Sequence, residues 1–192
     1  RIYQHNASIK PVEHPGVTRT QRALNERDVE TTIHTPVGKQ VQVTRRTPNS
    51  PRQIELKWPI TTVEELRVAT WRAEHTEWRW DQEAFDRVQR DWGDLGAPTM
   101  YMPRVNVQDL FINTMGVEAA IYAIHDWPDE VAAYFRALDE SHARMIEVIN
   151  ASPIEIINFG DNIHAGTLPP RLFREHVLPA YHRRCELLHA GG

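Results

Sequence analysis

The sequence predicts an α/β fold, and three observations lead there. Residues 154–158, Ile-Glu-Ile-Ile-Asn, form a short apolar run that stops abruptly at a cluster of Asp161, Asn162 and His164. Pro169-Pro170 then opens an amphipathic stretch that continues through 173–192. Residues 97–102 read as a second short buried strand ending at Pro103, and helical patterns fill the sequence between the two. Strands separated by helical crossovers imply parallel pairing. The strand, polar loop and helix at 154–192 have the form of one unit of a (β/α)8 barrel, in which the C-terminal ends of the strands carry the active site.

The elements follow in order. Residues 1–20 are polar, contain prolines and lack periodicity, so 1–30 are expected to be an irregular lead-in. In 29–35 and 40–44, β-branched residues alternate with polar ones around Pro36-Val37-Gly38-Lys39, the pattern of a β-hairpin. Arg45 and Arg46 read as its solvated end, and 47–52 as a loop by composition. Thr61 and Thr62 each precede a Glu by three residues, Glu64 and Glu65, giving overlapping capping boxes ahead of Val63, Leu66, Ala69 and Ala73. A second helix is expected over 82–92, where Gly93 and Gly96 suit a left-handed cap and the turn beyond it.

Two short helices are expected to flank Gly116. Asp126-Trp127-Pro128-Asp129 opens a long helix, because Asp caps free amides and Pro is harmless in a first turn. Val131, Phe135, Leu138, Met145 and Ile149 form its apolar stripe, closed by Asn150 and Pro153. Over 170–189, Leu172, Phe173, Val177, Tyr181, Cys185 and Leu188 form another stripe, and Pro179 within it is expected to bend the helix.

Composition narrows the function classes. The chain has 192 residues, 41% hydrophobic and 25% charged, which fits a globular domain with a real core. With 22 Lys+Arg against 26 Asp+Glu the net charge is -4, and no basic block is long enough to track a run of phosphates, so no nucleic-acid partner is expected. No run approaches the roughly 18 apolar residues that span a bilayer, and the lone Cys185 excludes a disulfide framework within one chain. These features predict a cytoplasmic protein without a membrane partner. The chain starts on Arg1, has no signal-peptide layout and ends on Ala-Gly-Gly after a helix, so it reads as cut at both ends.

An ordered set of segments resembles the uroporphyrinogen decarboxylase superfamily, which includes the corrinoid-dependent methyltransferases. The set is Gly160-Asp161-Asn162-Ile163-His164-Ala165-Gly166-Thr167-Leu168, Pro170-Arg171-Leu172-Phe173, Val177-Leu178-Pro179-Ala180-Tyr181 and His189-Ala190-Gly191. Thr35-Pro36-Val37-Gly38, Met115-Gly116 and Asp126-Trp127-Pro128-Asp129 agree with it in order and spacing. The resemblance implies a (β/α)8 TIM barrel with a cleft at the strands' C-terminal ends. Such a barrel needs about 250 residues, so 31–192 is expected to be a partial barrel, incomplete at its C-terminus and carrying an N-terminal β-hairpin.

Methyltransferases of this superfamily carry a zinc-binding His-x-Cys motif on the strand beyond the helix that ends here, and another Cys further on. Neither is present. The resemblance therefore implies no cofactor within these residues, and zinc and a corrinoid for a full-length protein. The decarboxylases carry a substrate-contacting Ser where Ile163 aligns, a Tyr in the region 109–111 and an Arg-rich N-terminal loop. All three are missing, which moves weight to the methyltransferase-like branch.

Each candidate residue has two readings. Asp161 follows an apolar strand, where a carboxylate can bind a cation, orient a bound group or relay a proton; otherwise it caps a turn. His164 can donate a proton or ligate a metal, although a single His without a matched second ligand is more often structural. Asn158 and Asn162 are candidate substrate contacts, and Asn162 alternatively supports a left-handed turn. Arg104, Asn106 and Gln108 follow the 97–102 strand; Arg104 can clamp a carboxylate or phosphate bidentately, and Asn106 alternatively caps a helix. His176, His182, Cys185 and His189 have spacings that form no ligand set, and read as a buried Cys with exposed histidines. The six Trp residues read as packing.

Three function classes follow. The first is a methyltransferase-like enzyme acting on a small molecule with a corrinoid protein as partner, a zinc-activated thiolate accepting the methyl group. The second is a cofactor-free decarboxylase of porphyrin biosynthesis, with Asp161 stabilising cationic pyrrole nitrogens. The third is a non-catalytic piece whose open strand edges favour oligomerisation.

Overall fold

A computed structural model of the chain describes residues 4–93 and 95–191. Its strands are β1 (Ile9–Val12), β2 (Thr18–Ala23), β3 (Asp28–Thr35), β4 (Gly38–Arg46), β5 (Gln53–Lys57), β6 (Glu77–Trp80), β7 (Thr99–Met102) and β8 (Ile156–Phe159). Its α-helices are α1 (Val63–Glu74), α2 (Gln82–Trp92), α3 (Asn106–Asp109), α4 (Val117–Asp126), α5 (Pro128–Asn150), α6 (Pro170–Leu172) and α7 (Leu178–His189). π-helical turns occupy Leu110–Thr114 and Phe173–Val177. The chain forms two compact units: Arg1–Val12 with Thr76–Gln108 and Leu138–Gly192, and Glu13–His75 with Asp109–Ala137.

The first unit is built on the parallel pair β7–β8, with Thr99 opposite Ile156 and Met102 opposite Phe159. Strand alternation sends Met100 and Met102 to one face of β7. There they pack with Ile9 and with Met145, Ile146 and Ile149 of α5, inside a ring that includes Trp78, Trp80, Ile157, Phe159 and Leu188. Burying each such side chain contributes about 1.5–3 kcal/mol. A separate antiparallel pair, β1–β6, sets Ile9 opposite Trp80. Helix α2 starts where Asp81 accepts from the Ala84 amide at 3.0 Å, and it stops at Gly93, whose φ of 54° with ψ -135° is a positive-φ backbone suited to glycine but not the left-handed helical cap expected there.

The second unit is a four-stranded antiparallel meander, β2-β3-β4-β5. The expected hairpin is present as β3–β4, with Thr35 opposite Gly38 across a Pro36-Val37 turn. Gly38 has φ 145°, and a Cβ there would lie 3.0 Å from Val68 of α1. At the start of α1, Thr62 accepts from the Glu65 amide at 3.3 Å while the Glu65 carboxylate accepts from the Thr61 amide at 2.7 Å, so the capping signal works as expected. Gly116, with φ 79°, separates the π turn from α4 as expected.

Arg45 is exposed near the end of β4, as expected, but it is also paired. Its fork donates to both oxygens of buried Asp28 at 2.7 and 2.8 Å, and Asn25 adds a third bond at 2.8 Å. The Arg45 fork, followed by Asn25, holds the Asp28 carboxyl near 2. Because its folded value lies below the ordinary 3.8, this pair stabilises the sheet above that pH and the contribution is lost as pH falls toward 2. Asp28→Asn should lower the melting temperature at neutral pH, and thermal melts down a pH series should converge with the wild type between pH 3.8 and 2.

Two expectations are corrected. The partial (β/α)8 TIM barrel is absent: the described strands form separate sheets of two, four and two strands, and none closes into a barrel. A barrel needs consecutive parallel strands, whereas β1 to β6 pair antiparallel. The irregular lead-in is also overturned within its described part, since β1 and β2 lie in it. All six residues of β2 are exposed, so backbone pairing with β3 rather than apolar patterning makes it a strand. Among the described residues no helix is long and apolar enough to cross a membrane.

Candidate functional site

The C-terminal ends of β7 and β8 lead into two polar loops, 103–105 and 160–167, that lie side by side in the first unit. Two bonds join them, and a third ties the second loop to α3. Arg104 Nη1 donates to Gly160 O at 2.8 Å, the Val105 amide donates to Asp161 Oδ1 at 3.1 Å, and the Asn162 amide donates to Gln108 Oε1 at 3.1 Å. Gly160 permits the close approach, because a Cβ there would lie 3.0 Å from the Tyr101 ring.

Asp161 is a latch. Its second oxygen accepts from the Tyr181 hydroxyl at 2.8 Å, tying α7 to the loops. Burial, and then the Asp161 hydrogen bond, push the Tyr181 phenol well above its ordinary value, so it stays a donor. Tyr181 is further fixed by Phe159, 5.0 Å away between ring centroids. A carboxylate already holding an amide and a phenol is a positioning group, and its geometry does not poise it to take a proton from a ligand.

The other candidates divide. Asn158 donates to Thr99 Oγ1 at 2.7 Å and so links β8 to β7. Asn106, 4% exposed, donates to His176 O at 3.0 Å and accepts from the Val107 amide at 2.6 Å. Both work within the fold. Arg104 is half-buried and donates one N–H to Gly160; its remaining guanidinium N–H groups have no protein partner among the described residues. Asn162 and His164 are exposed, and His164 accepts the Gly166 amide on Nδ1 at 3.1 Å, leaving its other ring nitrogen outward. The structure thus places Arg104, Asn162 and His164 on the two joined loops, with Asp161 beneath them as their support.

Beneath the loops lies a cluster that the sequence reading missed. Arg184 is 3% exposed and donates to Pro103 O at 2.9 Å, to Arg104 O at 3.5 Å and to His142 Nδ1 at 2.5 Å. Burial, then Arg184, hold the His142 imidazole well below its ordinary value, so it stays neutral and accepts. Burial raises the nearby Asp139 carboxyl, against the pull of Arg184. A signal was available: Arg184 lies three residues after Tyr181 and seven after Val177, on the stripe that faces inward.

His176 is half-buried rather than exposed, and burial lowers its imidazole. Cys185 and His189 line a separate cleft of about 450 Å³ with Ile154, Ile157, Phe159 and Leu188. None of the six candidates lines it. Among the described residues no group of three or more His, Cys, Asp or Glu could hold a metal ion, so the residues present do not fit zinc.

Comparison with family models finds no match, and comparisons with curated proteins and with solved structures find none.

Proposed function

We propose that the loops at the ends of β7 and β8 bind a small anionic molecule, with Arg104 as its anchor and Asn162 and His164 as rim contacts. One observation carries this reading: Arg104 is pinned to Gly160 by a single N–H while its other donors stay open on a loop pair held by Asp161 and Gln108. A guanidinium so held is pre-organised for a carboxylate or phosphate. Ligands of open sheets with parallel strands commonly sit outside the carboxyl ends of those strands, which also supports it.

We further propose that this binding serves an enzyme of the uroporphyrinogen decarboxylase superfamily, in its methyltransferase-like branch. The residue pattern supports that assignment, and Ile163 in place of a hydroxyl favours it over decarboxylation. A corrinoid enters as the methyl carrier of a partner protein. Zinc does not fit the described residues.

The test is an NMR titration with glutarate. Amides of Arg104, Asn162 and His164 should shift saturably, and Arg104→Gln should weaken binding at least about tenfold. Shifts that are absent, or unchanged in the variant, would overturn the site. Demethylation of methylcobalamin, followed by its visible spectrum, tests the branch in the full-length protein: the proposal expects turnover with an added thiol there and none from these 192 residues alone, and intact methylcobalamin beside normal glutarate binding would remove the methyltransferase assignment alone.

A further inference from the structure

The edge of β7 that faces away from β8 is covered by residues 4–8, which form no regular strand. Gln4 bridges to Thr99 in parallel, and the His5 amide donates to Thr99 O at 2.8 Å. The Asn6 side chain then stands in for a strand backbone: its Nδ2 donates to Tyr101 O at 2.7 Å and its Oδ1 accepts from the Tyr101 amide at 3.2 Å. At the far end Ser8 O accepts from the Asp81 amide at 2.7 Å. An open strand edge invites pairing with another chain, and this strap closes it.

His5 seats the strap. Its side chain is buried against Phe85 of α2, 4.5 Å between ring centroids. Nδ1 is buried with no hydrogen-bond partner among the described residues, and the same holds for the hydroxyl of buried Ser8. The charged groups on the packed elements are held elsewhere. Asp81 bonds Lys10 of β1 and the Ala84 amide, Glu83 pairs with Arg87, and Asp86 accepts from Gln82. Arg90 and Asp91 of α2 and Glu77 and Arg79 of β6 are exposed, and Tyr101 is the titratable group of β7. An imidazolium at this position would be a buried charge without a counter-ion, which is strongly disfavoured.

We propose that residues 4–8 are a pH-operated strap: protonation of His5 drives its ring off Phe85 and frees the β7 edge at Thr99 and Tyr101. Burial holds the docked imidazole below its ordinary 6.5, so the released strap takes up the proton first. The strap is therefore fully closed above pH 6.5, and its opening rises by up to about tenfold per pH unit below that value.

Amide hydrogen exchange between pH 7.5 and 5 tests it, expressed as protection factors so that the intrinsic pH dependence of exchange cancels. Tyr101, bonded to the strap, should be less protected than Met100, which alternates to the β8 side, and should lose at least about threefold in protection between pH 6.5 and 5. The His5 Cε1 proton should titrate over the same range. In His5→Phe, which packs on Phe85 and takes no proton, Tyr101 protection should stay level, and Asn6→Ala should lower it at every pH. Tyr101 protection that is unchanged by acid, that falls as much in His5→Phe, or that equals that of Met100 because the whole unit opens, would overturn the inference.

Discussion

Arg184→Met is expected to lower the unfolding free energy by about 3 kcal/mol, the scale of removing one partner from a buried charged group. The guanidinium closes the end of β7 by donating to Pro103 and Arg104 carbonyls, and it sits against His142. Methionine fills the volume but donates nothing. Two carbonyls and the imidazole nitrogen then lose their donor, and Asp139, one oxygen of which is already buried without a partner, loses its cation. Urea unfolding should show a lower midpoint, and Asp139→Leu in the same chain should restore part of the loss, since the two changes share a network.

The pH dependence follows from the same cluster. His142 is depressed below its ordinary 6.5, so the unfolded chain binds its proton more readily. Its contribution to stability is complete above pH 6.5 and declines as pH falls below it. Asp139 is raised and works in the opposite sense, its ionisation costing stability as pH rises above 3.8. In Arg184→Met the acid decline should become shallower but persist, because burial is the larger cause of the His142 shift.

Asp161→Ala is expected to cost about 2 kcal/mol, since it leaves the Val105 amide and the Tyr181 phenol without their acceptor. Asp161→Asn retains one acceptor oxygen and should cost about half as much. Tyr181 adds an alkaline signature. Its phenol is raised above the ordinary 10, so its contribution is complete below pH 10 and is lost as pH rises further. Urea midpoints measured from pH 8 to 11 should fall for the wild type and stay flatter for Asp161→Ala.

Much of the local structure is legible in the sequence because its causes lie within a few residues. The cap at Thr62, the stop at Gly93, the helix start at Pro128 and the hairpin about Pro36-Val37 act through short-range backbone chemistry. Pro179 was expected to bend its helix. The structure places it in the first turn of α7, directly after the π turn, where the Leu178 amide reaches back to Phe173 O.

What was not legible is non-local. The parallel pairing of 97–102 with 154–158 is present as β7–β8, but nothing in either run tells whether further strands join them. The Thr-Arg-Thr-Gln-Arg-Ala run of β2 carries no apolar period, so its strand is set by its pairing with β3. That exposed Arg45 is also paired was not legible because its acceptor, Asp28, lies across the hairpin.

The candidate site was half legible. Asp161 and Arg104 were found from their places after apolar runs, and the structure does bring their loops together. That both Asp161 oxygens are engaged depends on Tyr181, twenty residues on, which reads as one more apolar stripe position. The residue with the strongest expected effect, Arg184, was passed over because a single Arg on a helix is ordinarily solvated.

Amide hydrogen exchange at Val105 tests most directly whether the Asp161 carboxylate is what fastens the two loops. The Val105 amide should be protected in the wild type and exchange at least about tenfold faster in Asp161→Ala, with Met100 and Met102 of β7 changing far less. Equal Val105 rates in the two proteins would contradict the account, because the loops bearing Arg104 and Asn162 would then be held by something else.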